Sequence, residues 1–301
     1  MKLNEETDAA QIEPMDPLMN VLFLKLFGSQ ESAELTSELV NCILCRVGLD
    51  PIDPADVRIE ADCSVQGGTV VAKAPRLDIK IVVPSRVIDL ESQRQKGNIE
   101  DRMLHYGASL VLEGTPKGTS YRQMRESIVI VLYDAAEELM EGEGYLHRCS
   151  LTWDDTGEVM SGKLVFVLVE MNKFRRTHPA LTSDILGDEL ESFLYYMVKG
   201  YANREERHTM ENIYQSLEAF ARYYDLAIDD PETAKLYKYA YESEADYQTG
   251  LDVAREEGLA KGLAEGEARG EARGRVEERE FLLKKLLAAG VSQELLDAAL
   301  A

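Results

Sequence analysis

Residues 76–93 read RLDIKIVVPSRVIDLESQ. Two runs rich in β-branched residues flank Pro84 and Ser85, the pattern of two short strands joined by a turn. Each run carries an acid where a buried strand favours an apolar side chain: Asp78 near the start of the first, Glu91 near the end of the second. Gln93 follows Glu91 at a spacing of two, and side chains so spaced leave a strand on the same face. Lys80 stands in the same relation to Asp78.

Two carboxylates on adjacent strands are hard oxygen ligands suited to Mg²⁺. A metal held this way activates water and neutralises charge building on a scissile phosphate. Spacing alone leaves a second reading open, because a solvated sheet face shows the same alternation.

Outward from the hairpin, residues 18–27 (LMNVLFLKLF) read as an apolar helix ended by Gly28, and 31–47 as an amphipathic helix ended by Gly48. Strand patterns fall at 57–63, 69–73, 76–83 and 86–93, with QGG marking one turn. Residues 98–113 form a helix capped by Asn98 and stopped by Gly114. Strands follow at 127–133 and 163–171, with YLHRCSLTW between them as a further strand. Beyond 180 the pattern turns helical, at 183–199, 204–224 and 231–248. The order αβββαβ followed by a helical annex makes the chain a mixed α/β (α+β) protein.

At 301 residues, 45% apolar and 29% charged, the composition is that of a soluble globular protein with room for one full domain plus appended elements. The acidic N-terminus lacks the apolar run of a signal peptide, and no stretch approaches the roughly 20 apolar residues of a membrane span. A cytoplasmic location without membrane contact is the expectation. Net charge is −22, which argues against a nucleic-acid partner on average. Yet residues 58–125 hold eleven Lys or Arg against eight Asp or Glu, so this segment is +3 and the remainder −25. Such an island suits a phosphate-facing patch, and a solvated surface accounts for it nearly as well. Cys42, Cys45, Cys63 and Cys149 are too few and scattered for a disulfide framework. Cys42 and Cys45 form a C-x-x-C that His147 and Cys149 would have to complete as a zinc site; within a helical pattern they read as buried small hydrophobes.

The tail carries glycine at 258, 262, 266, 270 and 274, with Ala260, Ala264, Ala268 and Ala272 at the same period. Five helical glycines cost roughly 5 kcal/mol relative to alanine, at about 1 kcal/mol each. Packing of a partner chain along the small-residue row would offset that cost. A charged, partly helical linker is the plainer reading.

LDIK at 77–80, DLESQ at 89–93 and Arg102 with Tyr106 four residues on resemble the PD-(D/E)XK nuclease family transposases, also called recombination-promoting nucleases. NVLFLKLFG at 20–28 resembles the family's opening D-x-x-F-K-x-x-F-G. Gly114, Tyr121 and ESIVIVLY then follow in the family's order, and the glycine-period tail is typical of it. The resemblance covers nearly the whole chain. It implies a restriction-endonuclease-like core and a metal-dependent DNA endonuclease. Asp78 and Glu91 would bind Mg²⁺ (or Mn²⁺), Gln93 would orient water or phosphate, and Lys80 would supply positive charge. Arg102, as a phosphate or carboxylate contact facing the site, and Tyr106 would support it. For Arg102 a salt bridge with Glu100 or Asp101, or with a helix elsewhere, is the alternative; for Tyr106, a place in the core.

Two positions depart from the family pattern. Asn20 stands where aspartate is usual, and Leu24 where lysine is usual. If that aspartate helps hold the metal, an amide weakens binding; Asp16 one turn earlier and Glu38 on the second helix are the acids that could substitute. The expected organisation is a flexible acidic N-terminus (1–15), a nuclease-like core (16–172), a helical annex (173–249) and a charged glycine-period tail (250–301) that would serve for homo-oligomerisation. The rival reading is a nuclease-fold protein without strong catalysis, acting in nucleic-acid binding or protein assembly.

Overall fold

The computed structural model describes residues 14–64, 76–95, 97–115, 118, 120–292 and 296. Two short helices open the chain, α1 (Asn20–Phe27) and α2 (Ala33–Arg46). Three strands follow, β1 (Arg58–Ser64), β2 (Arg76–Val82) and β3 (Arg86–Gln93), then α3 (Ile99–Glu113) and β4 (Glu126–Tyr133). A hairpin of β5 (Leu146–Thr152) and β6 (Val159–Glu170) completes a six-stranded sheet in the order β1-β2-β3-β4-β6-β5. The first three strands pair antiparallel; β3–β4 and β4–β6 are parallel, and β5 returns antiparallel along β6.

The central hairpin forms as its sequence dictates. Pro84 and Ser85 turn the chain while Val83 and Arg86 exchange backbone hydrogen bonds at 3.1 and 3.3 Å. Parity then sorts the side chains. Ile79 and Ile81 of β2 meet Leu90 and Ile88 of β3 on one face, within a large apolar cluster. Phe23 and Phe27 of α1 join that cluster, as do Phe193 of α6 (Glu189–Val198) and Phe220 of α8 (Gln215–Ile228). The opposite face carries a smaller cluster built on α3, with Met103 and Leu110 against Val129, Val131, Leu164 and Phe166. β4 is buried on both faces, hence its unbroken run of apolar residues.

Helix α3 approaches β6 closely at Gly107. A Cβ built on Gly107 would lie 2.7 Å from Phe166 Cε1 and 2.8 Å from Leu164 Cδ1. Only glycine lets this helix sit so close to β6.

The helices after β6 are more broken than the sequence pattern suggests. α4 (Met171–Thr177) leads to α5 (Ser183–Leu186) and α6, where a single helix over 183–199 is expected. Gly187 ends α5, and Asp188 accepts the Glu191 N–H to start α6 anew. The expected 204–224 helix likewise divides into α7 (Arg204–Glu211) and α8. Helix α9 runs from Pro231 to Ala288, well past the expected end at 248 and through the whole glycine row. Asn98 does not cap α3 with its side chain; its amide donates to the Asp101 carboxylate instead. The expected strand at 69–73 and the QGG turn lie outside the described residues.

The described chain divides into two compact units, residues 1–240 and 241–301. In the second, ion pairs at i, i+4 stitch the helix surface, among them Arg273–Glu277 at 2.9 Å and Arg275–Glu271 at 2.5 Å. Each contributes only a few tenths of a kcal/mol. Cysteines meet the expectation only in part: Cys42 is half-buried and packs against the large cluster, whereas Cys45 and Cys149 are exposed. Among the described residues no group of three or more His, Cys, Asp or Glu is placed to hold a metal, and no helix is long and apolar enough to cross a membrane.

Candidate active site

The face of the β2–β3 hairpin turned toward α3 carries the acids. Asp78 and Lys80 of β2 lie on it, because Ile79 and Ile81, which alternate with them, face the larger cluster. Lys80 pairs with Asp89 across the strands, and Glu91 and Gln93 continue the same parity along β3. Two reciprocal bonds lock the acids together. Glu91 Oε1 accepts the backbone N–H of Asp78 at 2.9 Å, and Asp78 Oδ2 accepts the backbone N–H of Ser92 at 3.1 Å. Each carboxylate thus reaches across to the neighbouring strand, and the pair shares one spot at the strand ends.

Helix α1 delivers a third group. Ser92 Oγ donates to the Leu18 carbonyl at 2.7 Å, fastening the chain ahead of α1 to β3. Asn20, the first residue of α1, then donates from Nδ2 to Asp78 Oδ1 at 3.1 Å. The position where an aspartate is usual therefore does face the acid pair, as an amide donor.

From the other side comes α3. Arg102 Nη1 donates to Gln93 Oε1 at 2.5 Å, and Nη2 donates to the Tyr106 hydroxyl at 3.0 Å. Gln93 completes its bonding by donating from Nε2 to the Gln95 carbonyl at 2.8 Å. Arg102 therefore turns to the site rather than to Glu100 or Asp101.

Burial governs the electrostatics. It pushes the Asp78 carboxyl above its ordinary value, against the pull of the Ser92 N–H, the Asn20 amide and the Arg102 charge. Glu91, 3% exposed, is pushed up to about 7, first by burial and then by the charge of Asp78. Two acids held this close resist joint ionisation. Burial also raises the Tyr106 hydroxyl, opposed by its bond from Arg102.

Three candidates are placed differently from expectation. Lys80 is on the right face but 5% exposed, its ammonium clamped between Glu60 and Glu113, each at 2.7 Å. Burial draws its ammonium down, and these two partners more than offset that. Asp16 accepts the Leu18 N–H and pairs with Arg94, which also lies 3.5 Å from Asp134. Glu38 lines a cleft with Glu34, Glu189 and Arg222, and burial followed by the charges of Glu189 and Glu34 raises its carboxyl. Neither acid joins the Asp78–Glu91 pair.

Asp89 and Asp62 went unassigned in the sequence. Asp89 is fully buried, two residues before Glu91 and opposite Lys80 on the same face of β3. Asp62 adopts a φ of 49°, rare outside glycine, asparagine and aspartate, and its charge acts on Asp78. The signal for Asp89 was its spacing of two before Glu91.

The donor set fits a hard divalent cation. Each carboxylate oxygen has two acceptor positions, and the recorded bonds occupy only part of that capacity. Mg²⁺ is usually held by one or two carboxylates, with water and substrate oxygens filling its remaining positions.

An α/β sheet with two acids on an antiparallel hairpin, followed by a helical crossover to a parallel fourth strand, has the architecture of a restriction-endonuclease-like core. A family model described as PD-(D/E)XK nuclease family transposase matches residues 17–254, and the chain belongs to that family. Comparison with curated proteins and with solved structures gives no match.

Proposed function

We propose that this chain is a metal-dependent DNA endonuclease whose cation is held by Asp78 and Glu91. The observation that carries the reading is the pair of reciprocal cross-strand bonds, Glu91 to the Asp78 N–H and Asp78 to the Ser92 N–H. They hold two carboxylates at one spot although burial makes their joint ionisation unfavourable, an arrangement that a divalent cation would relieve. When bound, Mg²⁺ or Mn²⁺ would activate water and neutralise charge on the scissile phosphate. The chain's own residues prepare the place. The hairpin register fixes both acids, Asn20 orients Asp78, and Gln93 is held in one pose by Arg102 and Gln95.

Nicking of supercoiled plasmid by the full chain tests this. Activity that needs Mg²⁺ or Mn²⁺, stops with EDTA and is lost in Asp78→Ala supports the reading. No nicking, or equal nicking by Asp78→Ala, overturns it. A second reading, binding without cleavage, is favoured by Asn20 in place of a third acid and by the full pairing of Lys80. It predicts duplex binding with no nicking.

A further inference from the structure

We infer that Arg102 is the cation that meets the substrate's phosphate, in the part expected of Lys80; the inference rests on the nuclease reading above. The two side chains differ in what their charge already faces. Lys80 lies between two carboxylates at 2.7 Å each and is almost wholly buried. Its charge is spent inside the protein. Both bonding partners of Arg102 are neutral, an amide oxygen and a hydroxyl, and the side chain is exposed.

The geometry of Arg102 also suits the task. Its guanidinium carbon lies 5.6 Å from the centre of the Tyr106 ring, and Nη1 and Nη2 are each tied down. These contacts set the plane of the group before any ligand arrives. A planar guanidinium with donors in reserve matches two phosphate oxygens at once, which a lysine ammonium does not. Arg102 is bonded to Gln93, two residues beyond Glu91 on the same face of β3, so a phosphate bound to it meets that face next to the acid pair. Gln93 is then a positioning residue, holding Arg102 rather than the phosphate.

The test is binding of a labelled duplex DNA to the full chain in EDTA, followed by anisotropy between 50 and 200 mM salt. Each phosphate neutralised contributes about 0.9 to the slope of log affinity against log salt. Arg102→Gln is expected to make that slope shallower by about 0.9, Arg102→Lys to restore most of it, and Lys80→Met to leave it unchanged. Where the wild type nicks plasmid, both Arg102 variants should lower kcat at least tenfold, since lysine keeps the charge but loses the fork. A wild-type slope in Arg102→Gln, or loss of the slope in Lys80→Met alone, overturns the inference. Arg102 is at the surface, so its arm decides the matter even if Lys80→Met fails to fold. A wild type that binds but never nicks removes the proposed function, and the slope still decides the role of Arg102.

Discussion

Replacing Glu91 with glutamine should make the metal-free protein more stable at neutral pH, and the gain can be worked from the site. Glu91 titrates at about 7 in the folded chain against an ordinary value of 4.5, because burial and Asp78 both disfavour its charge. The folded state therefore holds this proton more tightly than the unfolded state. The contribution of Glu91 to stability is accordingly greatest at or below pH 4.5, declines as pH rises toward 7 and levels off above it. At about 1.4 kcal/mol per pH unit, the ionised Glu91 costs about 3 kcal/mol at pH 7.5. Glutamine keeps an oxygen that can accept the Asp78 N–H and carries no charge. Wild type and Glu91→Gln should thus match near pH 4.5 and diverge by about 3 kcal/mol at pH 7.5. The assay is urea unfolding in EDTA, followed by near-UV circular dichroism of the buried Tyr133, Tyr195, Tyr196 and Tyr224. Adding Mg²⁺ should close the gap by stabilising the wild type alone, more at pH 7.5 than at pH 5.5, because cation and proton compete for the same oxygens. Parallel pH profiles for the two proteins would refute the reasoning.

Asn20→Asp exchanges a hydrogen-bond donor to Asp78 for a third acid; the melting temperature in EDTA should fall, while the rise on adding Mg²⁺ should exceed that of the wild type. Equal Mg²⁺ responses in calorimetry would place residue 20 outside the metal's reach. Gly107→Ala puts a methyl group 2.7 Å from Phe166 Cε1, so the Phe166 and Leu164 side chains must shift or α3 must lift from β6. Overpacking of this kind costs about 1–3 kcal/mol, and because α3 carries Arg102 the variant should also lower any nicking rate; wild-type stability would show that the contact gives way freely. In the tail, a Cβ at Gly262, Gly266 or Gly270 meets nothing within 4 Å in the single chain. The triple alanine variant should therefore raise tail helicity, by about 1 kcal/mol per site. If the row packs two chains together, sedimentation should show self-association falling at the same time; an unchanged oligomeric state would mark the tail as a linker.

The sequence by itself determined what local chemistry controls. Strand parity put Asp78 with Lys80 and Glu91 with Gln93, since that rule depends only on alternation along a pleated backbone; the register that pairs Lys80 with Asp89 is what brings the two pairs to one face. Pro84 and Ser85 announced the turn, and the apolar runs announced the order of helices and strands. The glycine row was legible as a pattern, but its propensity cost pointed to a partial helix, whereas α9 passes through it unbroken. The breaks at Gly187 and at 212–214 were visible only as weak signals inside apolar periodicity strong enough to mask them.

Only the tertiary structure decided which charge meets which. Lys80 and Arg102 were both available cations, and nothing near either one in sequence ranks them. The choice depends on Glu113, 33 residues beyond Lys80, and on Gln93, nine residues before Arg102. Asn20 reaches Asp78 across 58 positions because Ser92 fastens Leu18 to the end of β3. Asp16, equally plausible by spacing, is taken by Arg94 instead. A local pattern fixes the face on which a side chain stands; its partner there depends on strand register and on the height at which α3 rests over β6. Long-range packing sets both, and at Gly107 it is the missing side chain that lets α3 approach Phe166 and Leu164 of β6 so closely.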